Sequence, residues 1–211
     1  MLARGASLVR MLEHTGTPYE YVSDRASISA VASCMGAAAD VFAPPIVVDG
    51  DYTLSQSVAC CMYIGNKVGL NQKCQAFDSF KATQYLVDVI DAFEDRRGFG
   101  GNNEHGPTLK KFLEGERWAN LMGNIERSIK GPYYFGDEPS CCDFFLLQAL
   151  DWREPTFEKL KAKLGVDPMA PFPKAVALAA ALRASPGYVN YKDGLKMMSA
   201  VKDEIVDSYN D

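Results

Sequence analysis

Apolar positions recur at helical spacing along most of this chain, and only in two short stretches do they alternate or run together as strands do. Leu8, Val9 and Leu12 give Ala6 to Glu13 the stripe of a short amphipathic helix. Thr15-Gly16-Thr17-Pro18 ends it, since glycine closes helices and proline cannot continue them. Tyr19-Glu20-Tyr21-Val22 alternates and is rich in strand formers, which predicts a strand. The alanine-rich run Ser27 to Ala39 predicts a helix. Ile46-Val47-Val48, the Asp49-Gly50 turn signal and Tyr52-Thr53-Leu54 together predict a β-hairpin. Ser55-Gln56-Ser57 then opens an apolar helix to about Lys67, closed by Gly69, with Leu70 to Lys73 as a linker.

Beyond that linker the period is helical throughout. Phe80, Tyr85, Leu86, Val89, Ile90 and Phe93 place a helix within Gln75 to Arg96, and a second long helix covers Thr108 to Ile129. The glycine- and asparagine-rich stretch Gly98 to Pro107 is the loop between them. A third helix starts at Cys141, a fourth covers Glu154 to Leu164, and another runs from Phe172 to Arg183, stopped before Pro186. Lys192 to Ser208 is an amphipathic tail. A small α/β unit, residues 1–70, therefore precedes an all-helical unit, residues 75–211, without internal repeats.

Composition narrows the function classes. Hydrophobic residues at 47% and charged residues at 23% are the balance of a water-soluble globular protein. The net charge of −5, with no cluster of basic residues, argues against a nucleic-acid partner. No window holds about eighteen apolar residues, so no membrane span is expected. The first residues lack the apolar core and small-residue cleavage site of a signal, and the last match no lipidation signal, so cytoplasmic location is the expectation. The six cysteines, at 34, 60, 61, 74, 141 and 142, include two vicinal pairs without a repeated spacing. They read as reduced thiols rather than a disulfide framework. The two histidines, His14 and His105, lie at no ligand spacing from them, so no metal is expected.

Two features carry candidate chemistry. Pro45 before a strand removes an amide and leaves neighbouring backbone open, and a cis Pro44–Pro45 bond would turn Ile46 outward to pair with a thiol peptide as an added strand does. Alone, the prolines read first as shaping a loop. Gln56-Ser57 lies at a helix N-terminus, where free amides and the helix dipole suit an anionic group. Alone, Ser57 is equally read as a plain helix cap.

In sequence order, Ala43-Pro44-Pro45-Ile46-Val47-Val48-Asp49-Gly50-Asp51-Tyr52-Thr53-Leu54-Ser55-Gln56-Ser57 resembles the cis-proline hairpin and Gln/Glu-Ser motif of glutathione transferases, most closely the tyrosine-type, sigma-like branch. Ser140-Cys141-Cys142-Asp143 resembles that family's capping box, which makes Asp143 structural. Pro186 to Tyr191 resembles its proline-led turn, and Val87-Asp88-Val89-Ile90-Asp91-Ala92-Phe93 resembles the first helix of its helical domain. The resemblance implies a fold of class α/β plus all-α. A thioredoxin-like N-terminal domain, truncated at its first strand, is followed by an all-helical C-terminal domain. It implies glutathione as co-substrate without another cofactor, bound through Pro45, the Ile46 backbone, Gln56 and Ser57. It implies a homodimer in which Asp91 is a candidate to reach the glutathione of the other copy, although the sigma-like registration sets Ala92 at that place and Asp91 also reads as part of a solvated acidic face. It also implies conjugation of the glutathione thiolate to hydrophobic electrophiles, with isomerase or peroxidase chemistry open.

Counting back along the resemblance, the tyrosine that activates the thiol falls just before Met1, so no residue is assigned the catalytic role. A late start of the chain, recruitment of another segment, or a scaffold that has given up catalysis are the three explanations, the first the simplest. Arg25 is a candidate for the glycyl carboxylate, or an exposed loop residue. Arg4 lies one residue out of register with an active-site arginine of some relatives, and Cys34 reads as structural. The alternative function is a non-catalytic protein of this fold, of crystallin or scaffold type. A redox site at Cys60-Cys61 is excluded by spacing, because adjacent helical cysteines do not make a Cys-x-x-Cys motif.

Overall fold

The hairpin forms where the alternation puts it. Strands β1 (Ile46–Asp49) and β2 (Tyr52–Ser55) pair antiparallel, with Ile46 opposite Ser55 and Asp49 opposite Tyr52. The two-residue loop between them needs a positive φ at its first position, and Gly50 supplies it at 61°. The computed structural model describes residues 3–95, 106–185, 187–188 and 202–211. The helices are α1 (Ala6–Thr15), α2 (Arg25–Val31), α3 (Ser57–Lys67), α4 (Leu70–Lys73), α5 (Ser79–Phe93), α6 (Gly106–Leu113), α7 (Glu116–Ser128), α8 (Cys141–Leu164), α9 (Pro173–Arg183) and α10 (Asp203–Asp207).

Several expectations are corrected. Tyr19 to Val22 is not a strand: a strand needs a neighbour for its backbone groups, and among the described residues the one sheet is the two-stranded hairpin. The Tyr19 hydroxyl instead donates to Glu13 Oε1 at 2.7 Å, tying the segment back to α1. The alanine-rich helix starts at Arg25, because Asp24 caps it by accepting from Ser27 N at 2.8 Å, and stops where Ala32 turns extended. Leu70 to Lys73, expected as linker, is a turn of helix. Thr108 to Ile129 is two helices, parted at Gly115, which lies so close to the Lys111 carbonyl that a Cβ would fall 2.3 Å from its oxygen. Conversely, the helices expected from Cys141 and from Glu154 are one: α8 continues through Pro155. A proline forfeits one intrahelical bond, and the buried Thr156, Phe157 and Leu160 beyond it hold the helix against its neighbours. The loop expected from Gly98 to Pro107 ends earlier, since Gly106 and Pro107 already belong to α6, and its other residues lie outside those described, as do Pro186, residues 189–191 of the expected turn and most of the Lys192 to Ser208 tail.

One apolar core joins the two halves. Leu8 and Met11 of α1 and Cys60, Cys61 and Ile64 of α3 belong to the same buried cluster as the side chains of α5 to α9. At its helical end Trp118 is ringed by Phe93, Phe112, Phe157 and Phe172, and its Nε1 donates to the Pro168 carbonyl at 3.2 Å. The seam between the halves is close. Gly65 lets α3 pack on the start of α8, where a Cβ would lie 2.6 Å from Cys141 Cβ. Buried Asn71 accepts from Cys141 N at 3.1 Å and donates to Asn66 Oδ1 at 2.8 Å.

Two carboxylates brace α8. Asp143 and Ser140 form the capping box, with Asp143 Oδ2 accepting from Ser140 N and from Ser140 Oγ, each at 2.7 Å, while Oδ1 accepts from Tyr134 N at 2.8 Å. Two turns on, fully buried Asp151 makes ion pairs with Arg10 of α1 and Arg183 of α9 and accepts from Tyr188 Oη at 3.4 Å. Arg10, itself buried, lies over the Tyr188 ring at 4.8 Å.

Candidate functional site

The register of the hairpin gathers four of the five expected site residues at one end of it. Ile46 faces Ser55 across the ladder, so Pro45 and Ile46 stand beside Gln56 and Ser57, which lead into α3. The Pro44–Pro45 bond is cis, as the sequence led us to expect. Behind it the chain is well supported. Gly5, just before α1, approaches Pro45 so that a Cβ there would be 3.5 Å from Pro45 Cβ. From α3, the Cys60 thiol donates to the Leu54 carbonyl at 3.4 Å and the Pro45 carbonyl at 3.7 Å. Burial pushes that thiol up to about 11, which makes Cys60 a structural group and not a nucleophile.

Gln56 is expected as a ligand-binding residue through its side chain; its backbone is the informative part. It is the one non-glycine residue with positive φ among those described, at φ 74° and ψ 123°, a conformation that costs an L residue roughly 1–3 kcal/mol. Its side chain is exposed and makes no cap hydrogen bond. Gln56 is also the N-cap position, so Ser57 is the first residue inside α3 and not its cap, which removes the plain reading of that serine. The amides of the first turn of α3 carry no side-chain cap, and the helix dipole leaves them partly positive. A strained turn that sets uncapped amides, Ser57 and the exposed Gln56 side chain side by side at a helix start is suited to a carboxylate.

Asp91 is not brought to this place by any described hydrogen bond or ion pair; it lies exposed on α5, on the face that also exposes Phe80 and Val87. Arg25 is exposed at the start of α2. Arg4 is paired with Glu94 just past α5, and Cys34 is exposed on a 3-10 turn. The described tyrosine hydroxyls of Tyr19, Tyr63 and Tyr188 are engaged with Glu13, Asp49 and Asp151 respectively. Among the described residues no helix is long and apolar enough to cross a membrane, and no group of histidine, cysteine and carboxylate side chains is arranged to hold a metal.

No protein-family model matches the sequence, and no curated protein matches it. Solved structures do resemble it. A glutathione transferase of Burkholderia graminis, with two glutathione molecules bound per subunit, superposes with a TM-score of 0.63 at 20% identity over 92% of this chain and 85% of its own. The prostaglandin synthase D of Nilaparvata lugens gives 0.61 at 19% identity, over 94% and 96%. The beta-class glutathione S-transferase of Sphingomonas chungbukensis gives 0.62 at 17% identity, over 93% and 96%. Across most of its length, therefore, the chain has the two-part fold of these proteins, a thioredoxin-like unit followed by helices.

Proposed function

From that fold and the geometry at the end of the hairpin, we propose that the protein binds glutathione as a thiol co-substrate. The γ-glutamyl carboxylate takes the first-turn amides of α3 and the Ser57 hydroxyl, with Gln56 orienting it. The cysteinyl backbone pairs with Ile46 beside Pro45. The observation that supports this most is the strained Gln56 backbone leading into an uncapped helix start, an arrangement that an anion at the amides would use. In the fuller reading the protein is a transferase of the tyrosine-type, sigma-like kind, conjugating the bound thiolate to hydrophobic electrophiles in the cytoplasm.

Calorimetry tests the site. Ser57→Ala should weaken glutathione binding roughly 10- to 100-fold, the effect of losing a hydrogen bond to a charged group at about 1.5–3 kcal/mol. Unchanged affinity would sink the assignment of Ser57. Thiolate absorbance of bound glutathione then separates the two functions. A thiol pKa below its free value of roughly 8.5 marks a transferase, and an unshifted one marks the non-catalytic scaffold.

The same reading includes a homodimer formed through α5, with Asp91 reaching the glutathione of the other copy. Phe80, 88% exposed, and Val87, two turns later, give that face apolar side chains that a second copy would cover. Sedimentation should give the mass of two chains, and Phe80→Asp should shift it toward one. A wild-type chain that sediments as a monomer would remove Asp91 from the site.

A further inference from the structure

The cysteines are the chemistry that the proposed site leaves unused. Cys60 and Cys61 lie on α3, Cys141 and Cys142 open α8, and all four are buried free thiols where the two halves meet. Cys61 lies one turn before Gly65, on the face of α3 that closes against Cys141. Its sulfur donates to the Cys141 carbonyl at 3.4 Å. The Cys141 sulfur is 3.6 Å from Met62 Sδ, so it faces α3. Cys60 turns the other way, to the hairpin carbonyls, and Cys142 Sγ reaches the Ala82 carbonyl of α5 at 3.6 Å.

We propose that Cys61 and Cys141 are an oxidisable pair, which a small hydroperoxide converts to a disulfide linking α3 to α8. Cys141 is the attacking group. It is the first residue of a 24-residue helix, whose N-terminal amides favour an anion. The neighbouring Cys142 and Cys61 thiols hold Cys141 below the ordinary thiol range, while burial holds Cys61 and Cys142 above it. The Cys141 thiolate attacks the outer peroxide oxygen and the O–O bond breaks. The alkoxide or hydroxide that leaves takes up the thiol's proton, and Cys141 becomes a sulfenic acid. Cys61 sulfur then attacks Cys141 sulfur and the S–O bond breaks. Water departs with the sulfenic hydroxyl and the Cys61 proton, leaving two thiols oxidised and one peroxide reduced. Within either vicinal pair the Cα atoms are only about 3.8 Å apart, short of the roughly 4.4–6.8 Å that disulfides span. The bond therefore forms across the seam and not along a helix. Both sulfurs are out of water, so the link is slow to form and shielded from thiol exchange once made. It fastens the helix whose first turn holds Ser57.

The test uses the full chain carrying Cys34→Ser, which removes the exposed thiol. After hydrogen peroxide, unreacted thiols are alkylated in denaturant and unreduced peptides are sequenced by mass spectrometry. The expected product has lost two hydrogens, joins Cys61 to Cys141, and melts roughly 5 °C or more higher, because the link closes a long loop. Dithiothreitol reverses both changes, and Cys61→Ser or Cys141→Ser abolishes them. Cys61 and Cys141 both recovered as alkylated thiols would overturn the proposal. So would Cys141 joined to Cys142 or Cys60, or Cys141 driven to the sulfinic acid without a cross-link.

Discussion

Replacing Asp151 by alanine should destabilise the protein by about 3–5 kcal/mol, a fall of roughly 10 °C in melting temperature. The carboxylate is fully buried and serves two cations at once. It pairs with Arg10 of α1 through Oδ2 and with Arg183 of α9 through Oδ1, where Arg183 Nε donates at 2.8 Å. Arg183 keeps a second partner, Glu154, at 2.9 Å and is part exposed. Arg10 does not. It is 2% exposed, its Nε and Nη1 find no hydrogen-bond acceptor among the described residues, and burial already lowers its pKa against the pull of Asp151. Without Asp151 that guanidinium is left buried and uncompensated, which is the costly way to break a buried pair. Arg10→Met should therefore cost less than Asp151→Ala, because it removes the stranded charge and leaves Asp151 with Arg183. Urea unfolding of the two variants decides it: equal losses would mean that Arg10 is not held by Asp151 alone.

How much of this was legible in the sequence follows the range of the interaction. The hairpin, the opening of α3 at Ser57 and the capping box are local patterns, and the residues that make them lie within a few positions of one another. The cis proline and the gathering of Pro45, Ile46, Gln56 and Ser57 followed from the same segment, once its order was recognised. What depends on a distant partner was not legible. Tyr19 to Val22 has the alternation of a strand, but a strand also needs a neighbour, and alternation does not supply one. Pro155 looks like a stop, but the packing beyond it carries α8 through. Asp151 carried a weak signal, as the first charged residue after Asp143 in a run from Cys141 that is otherwise apolar but for Gln148. Its partners lie 141 positions upstream in Arg10 and 32 downstream in Arg183, and no periodicity joins them. The strain at Gln56 is a backbone property, invisible in residue type except as the absence of the glycine that a positive φ prefers. The pairing of Cys61 with Cys141 needed the close approach at Gly65 to be seen.

The second large effect is at Asp143, and its size should depend on pH. Asp143→Ala leaves three buried donors without their acceptor, namely the Tyr134 amide, the Ser140 amide and the Ser140 hydroxyl. At about 1–3 kcal/mol for each orphaned group, partly relieved by relaxation, the loss should be about 3–5 kcal/mol near pH 4. Burial raises the Asp143 carboxyl to about 7, against the three hydrogen bonds that favour its anion. In the unfolded chain the group titrates near its ordinary value of 3.8. Between those two values the folded protein holds a proton that the unfolded chain has released, so stability falls as pH rises, by about 1.4 kcal/mol per unit. Below about 4 both states are protonated and above about 7 both are ionised, and the slope from this group vanishes at each end. The alanine variant lacks that slope, so its deficit should be largest at about pH 4 and shrink as the pH approaches 7. Other groups titrate in the same range and cancel when the two proteins are compared at each pH. A deficit that stays constant from pH 4 to 7, or grows, would mean that the Asp143 carboxyl is held as the anion by its hydrogen bonds and that burial does not dominate.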